Sequence, residues 1–88
     1  AYPNPFSPNL HGELRIRFES TSTSTATLRI VDFGMNLVHE QQQQVSPGEF
    51  EIIWTGYNDM GSKVRNGVYF YEITQGSTKN NGKILVID

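Results

Sequence analysis

Glu13-Leu14-Arg15-Ile16-Arg17-Phe18-Glu19 alternates charge and hydrocarbon at every step. Successive side chains of an extended chain point to opposite faces, so Leu14, Ile16 and Phe18 share one face and the charged residues the other. That is a strand with one buried and one wet side. The pattern recurs twice. Ala26, Leu28 and Ile30 alternate with Thr25, Thr27 and Arg29, and Phe50, Ile52 and Trp54 alternate with Glu49, Glu51 and Ile53. Gly67 to Thr74 carries β-formers on both faces, which predicts a central strand covered on its second side. Ile84, Leu85, Val86 and Ile87 supply a last strand.

Turn-rich segments separate these runs: Gly34-Met35-Asn36, Ser46-Pro47-Gly48, Asn58-Asp59-Met60-Gly61 and Gln75-Gly76-Ser77. Strands spaced by roughly 8–12 residues with turns between them form a sandwich or barrel. No stretch holds a 3.6-residue apolar period, so almost no helix is expected. Ser20 to Thr25 reads as a loop entering a strand, and Gln41 to Gln44 as either a solvated loop or a polar edge strand. Two turns compete to join the last strands. Gln75-Gly76-Ser77 leaves a longer final strand than Asn80-Asn81-Gly82, so Gly82 is expected to be a bulge or bend. Pro3 and Pro5 hold Tyr2 to Phe6 extended with few amide donors, which suits an edge. Tyr2 and Phe6 are expected to plug the sandwich end, and Trp54 to anchor the core.

The chain has 88 residues and a net charge of −2. Its seven basic residues are scattered among acids, which argues against nucleic acid as a partner. Without cysteine there is no disulfide framework or thiolate metal site. No apolar run approaches the ~20 residues of a membrane span, so no membrane insertion is expected. The chain opens on Ala1-Tyr2-Pro3 without a signal peptide and is read as a piece of a larger exported protein.

Candidate chemistry is thin. Asp32-Phe33-Gly34 matches the metal-binding triplet of protein kinases, but the chain is too short for that fold and the context is a strand ending in a turn. His11 and His39 have no organised ligand spacing and read as surface histidines. Glu49 and Glu51 fall on one face of a strand and are expected to stand side by side in water. Asn58, Asp59 and Asp32 lack the spacing of a calcium loop; local Asx turns with Gly61 at positive φ are the simpler account. Tyr57, Tyr69 and Tyr71 are the candidates for a sugar platform, weighed against core and rim packing. No nucleophile–base or metal constellation and no cofactor site is read, so the chain is not expected to be an enzyme.

Four segments together resemble a known family: Tyr2-Pro3-Asn4-Pro5-Phe6; Leu28 to Phe33 with Leu37-Val38 after a turn; Gly48-Glu49-Phe50 leading to Ile53-Trp54-Thr55-Gly56; and Asn58 to Gly61 followed by Val64 and Asn66 to Tyr71. They resemble the immunoglobulin-like domain of the flagellar hook-capping protein, and more closely the C-terminal sorting domains of type IX secretion cargo. Thr55 stands where the family usually has an acid, and Gly34 falls one place before the expected hairpin glycine. The resemblance implies an all-β, immunoglobulin-like antiparallel sandwich of about seven strands, spanning residues 1–88 as one C-terminal module. It implies a non-catalytic address read by outer-membrane secretion machinery, attached to upstream domains and delivered through the periplasm to the medium or cell surface. Lys83, Ile84, Leu85, Val86 and Ile87 resemble the basic-then-apolar tail of such domains and are the expected recognition residues. A spacer module of an extracellular or flagellar protein and a carbohydrate-binding accessory module are the alternatives.

Overall fold

A computed structural model describes residues 1–88. Two antiparallel sheets face each other. Strands β1 (Leu14–Ser20) and β4 (Gly48–Trp54) form the smaller one. Strands β2 (Ser24–Val31), β3 (Leu37–Val45), β5 (Gly67–Gln75) and β6 (Thr78–Val86) form the larger, in the order β3-β2-β5-β6. The register explains the layering. Leu14 pairs with Trp54, Ile16 with Ile52 and Phe18 with Phe50, so every apolar residue of β1 meets an apolar residue of β4 on the inner face. On the larger sheet Leu28 pairs with Ile73 and Tyr69 with Ile84. These rows close over one core in which Leu14, Ile16, Leu28, Ile30, Ile52 and Ile84 are fully buried.

Phe6 completes that core. It is fully buried, with its ring centroid 6.1 Å from that of Trp54. Its backbone joins the free edge of β6: Phe6 N donates to Leu85 O at 2.8 Å, and Ile87 N donates to Phe6 O at 2.9 Å. Asn4 extends this edge with its side chain. Its Nδ2 donates to Lys83 O, and its Oδ1 accepts from Leu85 N, both at 3.0 Å, much as a paired strand residue would.

The structure revises several expectations. There are six strands rather than about seven, because the proline-bearing start makes only isolated bridges at Tyr2 and Phe6. A four-residue helix, α1 (Pro8–His11), follows Ser7, whose hydroxyl accepts from Leu10 N as an N-cap, with Pro8 in the first turn. Gly82 is no bulge: it pairs with Tyr71 in unbroken register. The Tyr71 ring occupies the space where a Cβ on Gly82 would sit, at 2.6 Å. Tyr2 does not plug the sandwich. It is exposed on the outer face of β1, its hydroxyl bonds Glu51, and the Arg17 guanidinium lies 5.4 Å from its ring centre. The Gln41–Gln44 run is the edge strand β3, and the preferred hairpin at Gly76-Ser77 is the one formed.

The base of the sandwich holds a buried polar knot. Gln75 Nε2 donates to Ser20 Oγ at 2.8 Å and Ser24 Oγ at 2.9 Å, tying the β1–β2 loop to the last hairpin. Its satisfied amide explains how a glutamine is tolerated on the inner face.

Candidate functional site

Strand β5 is central, as its sequence predicts, but no third layer covers its outer face. Val31, Phe70 and Lys83 lie side by side there as successive cross-strand partners, and Val68 pairs with Leu85. The only cover is the β2–β3 turn, whose Phe33 ring sits 6.4 Å from that of Phe70. Phe33 is 77% exposed and Met35 69%. Asp32 holds this turn by accepting from the amides of Gly34 and Asn36, each at 2.9 Å. Those bonds, the Asn36 amide first, keep its carboxyl below the usual range. Met35, not Gly34, takes the left-handed conformation, at φ 66°. A side chain there costs about 1–2 kcal/mol relative to right-handed backbone. The turn therefore carries an exposed apolar side chain at a position glycine would fill without strain.

This end of the sandwich also bears Leu10, Tyr57, Met60 and Ile87, all exposed. The loops at the other end, 21–23, 46–47 and 76–77, contain only Ser, Thr, Pro and Gly. Most of the exposed hydrocarbon gathers at this pole and on the adjoining outer face of β5 and β6, with Tyr2 and Ile53 exposed on the outer face of the smaller sheet. Patches of this kind mark interaction surfaces.

The tail residues singled out in the sequence divide by strand alternation. Ile84 and Val86 are fully buried, whereas Lys83, Leu85 and Ile87 face outward. Leu85 and Lys83 therefore join the patch around Phe70. Phe33, Met35, Val68 and Phe70 were not among the expected recognition residues. The signal for Val68 and Phe70 was the unbroken apolar run of β5, read as covered on both sides; Phe33 and Met35 lie in the β2–β3 turn, outside that run.

Asp88 ends the described chain in a knot with the first residues. Its carboxylate accepts from Lys63 Nζ and Ser7 Oγ, each at 2.8 Å, and from Asn9 N at 3.1 Å. Lys63 first, then the Asn9 amide, holds the carboxyl down at about 2, below its ordinary 3.8. A depressed carboxylate pKa stabilises the fold above its unfolded value, and that contribution is lost as pH falls through the folded value. The chain should therefore lose stability as pH drops from about 4 towards 2, and Asp88→Asn should flatten that part of the profile. Urea midpoints measured across pH 2–7 check this; an unchanged slope in the variant would refute it.

Other candidate groups are engaged structurally. His39 is no free surface histidine: Nδ1 lies 2.6 Å from Asp59 Oδ1 and Nε2 lies 2.7 Å from Gln41 Oε1. His11 Nδ1 accepts from Ser7 N at 2.9 Å. Glu51 does not stand beside Glu49 in open water but bonds Tyr2, Arg15 and Arg17, the tyrosine hydroxyl doing most to lower its pKa. Asn58 Oδ1 accepts from Met60 N and Ser62 N, the expected Asx turn, with Gly61 at φ 86°. The three tyrosines do not form a platform. Tyr69 is buried edge-on to Trp54, its hydroxyl donating to Arg65 O at 2.7 Å, and Tyr71 lies across Gly82.

Two antiparallel sheets packed over one core of inward-facing residues define the class: an immunoglobulin-like β-sandwich. Residues 7–79 match the family described as the FlgD Ig-like domain, and the chain belongs to that family. Domains of this kind are non-catalytic. No curated protein matches the chain. Among solved structures, it superposes on dimeric latent PorU from Porphyromonas gingivalis with a TM-score of 0.74 and 21% identity, covering 98% of this chain and 9% of PorU. PorZ, an essential bacterial surface component of the type-IX secretion system of P. gingivalis, gives 0.68 and 21%, covering 99% of this chain and 11% of PorZ. FlgD from P. aeruginosa gives 0.71 and 14%, covering 93% of this chain and 64% of FlgD. At these identities the likeness establishes the fold. No helix is long and apolar enough to cross a membrane.

Proposed function

We propose that residues 1–88 form a non-catalytic sorting module of a larger exported protein, recognised by type IX secretion machinery on its way through the periplasm to the surface or medium. The reading rests on one observation above all. Lys83, Leu85 and Ile87 of the tail face outward, and Leu85 and Lys83 abut the uncovered apolar face around Phe70. The fold shared with PorZ is consistent with this setting. The outward row Lys83, Leu85 and Ile87 makes the contact, while Ile84 and Val86 serve the core.

That division dictates the experiment. Replacing the whole tail by polar residues would remove Ile84 and Val86 from the core and block export through unfolding alone. The informative variant changes only Lys83, Leu85 and Ile87 to serine. A reporter with a periplasmic signal peptide, fused upstream of residues 1–88, is expressed in a bacterium with a type IX system. The triple variant is expected to stay folded, judged by protease resistance, and to leave the reporter in the periplasm. Export equal to that of the unaltered module would remove the recognition role from this row. Failure of the unaltered module to carry the reporter out would favour a spacer.

A further inference from the structure

The larger sheet ends on one side at β6, whose outer edge is closed from Lys83 to Ile87 by Asn4 and Phe6. On the other side it ends at β3, and that edge is closed only at its start. Asp59 N donates to Val38 O and Glu40 N donates to Asp59 Oδ2, both at 3.0 Å. These bonds show that the even-numbered residues of β3 point their main-chain groups away from β2. Gln42 and Gln44 therefore aim N–H and C=O outward, and no main-chain bond outside the sheet ladder involves them. Open edges are normally guarded by charge or proline. The β6 edge carries Lys79 and Lys83, and β4 carries Glu49 and Glu51. Residues 41–45 are Gln-Gln-Gln-Gln-Val, with neither charge nor proline.

We propose that this edge pairs with a second copy of the chain, β3 against β3, antiparallel across a two-fold axis at Gln43. Gln42 then lies opposite Gln44 of the second copy and exchanges two main-chain hydrogen bonds with it, as does the symmetric pair. A run of one residue reads the same in both directions, and each glutamine amide both donates and accepts, so the segment is complementary to itself. The neighbouring charge is already neutralised, since Glu40 bonds Arg29 Nε at 2.8 Å. The window also fits. Asp59 blocks pairing beyond Glu40, and the second copy's chain turns off at Ser46-Pro47 where it would meet that block.

The absence of native cysteine permits a register-specific test. With the axis at Gln43, residue 43 faces its own copy as a non-hydrogen-bonded pair about 4.5 Å apart between Cα atoms, within disulfide reach. Residue 41 faces residue 45 instead, leaving the two copies of residue 41 roughly 13 Å apart, out of disulfide reach. Under mild oxidation Gln43→Cys is expected to give a covalent dimer and Gln41→Cys to remain monomeric. Gln42→Pro or Gln42→Lys, added to Gln43→Cys, should suppress the cross-link while circular dichroism shows the sandwich intact. In sedimentation of the uncrosslinked chain, Gln42→Pro should weaken self-association by about tenfold or more. Equal cross-linking at 41 and 43, or a chain monomeric in sedimentation with no cross-link at 43, would overturn the proposal.

Discussion

Trp54→Ala is expected to lower the unfolding free energy by about 4 kcal/mol, the usual range for deleting a buried aromatic. Trp54 is 1% exposed and lies between Phe6 and Tyr69, with ring centroids 6.1 Å from each. Its removal opens a void that touches both sheets and the N-terminal segment together. The indole Nε1 also donates to Tyr57 O at 2.9 Å, but Tyr57 is in an exposed loop where water can replace the donor, so the loss is mainly one of packing. A domain of this length has a total stability of roughly 4–13 kcal/mol, so this loss removes between about a third and all of it. Urea unfolding followed by far-UV circular dichroism reads the effect without the lost fluorophore. Phe33→Ala is the contrast: an exposed ring whose loss should stay within about 0.5–1 kcal/mol. Comparable losses for the two variants would contradict the placement of Trp54.

Gly56→Ala is the second large effect, at about 3 kcal/mol, and it separates into two parts. Gly56 has φ 86°, where a Cβ costs about 1–2 kcal/mol. That Cβ would also sit 2.6 Å from Pro8 Cγ and 3.2 Å from Phe6 Cε2. Overpacking of this kind adds about 1–3 kcal/mol. Gly61 shares the same φ of 86° with nothing within 4 Å of its added Cβ, so Gly61→Ala measures the backbone part alone. The difference between the two variants should shrink when Pro8→Ala is introduced beside Gly56→Ala. Equal losses at Gly56 and Gly61 would mean that Pro8 does not press on this turn.

Strands with clean alternation were legible in the sequence because one face is apolar and the other polar: β1, β2 and β4 all read correctly. Strand β3 was ambiguous because four consecutive glutamines show no alternation between faces; its place at an edge follows from pairing with β2, a contact between segments that alternation cannot report. Gly82 misled because a glycine in a strand reads as a bulge, whereas here a ring from the neighbouring strand needs its missing side chain. Tyr2 misled because an aromatic beside prolines suggests a plug, and only Phe6 reaches inside. The candidate surface was half legible. Lys83, Leu85 and Ile87 were within the marked tail, but Phe33, Met35 and Phe70 required knowing which face of β5 lacks a covering layer.

The seam between Phe6 and β6 sets an order of events. Ser7 and Asp88 touch although 81 positions apart, and Phe6 finds its backbone partners only at Leu85 and Ile87. Contacts spanning almost the whole chain close late and slow the search for the native state. Until Lys83–Asp88 is available, Phe6 has no edge to join and the slots of Ile84 and Val86 are empty. A chain emerging from its N-terminal end thus keeps this seam open until Lys83–Asp88 has followed, and the seam closes last, like a drawstring pulled at both ends.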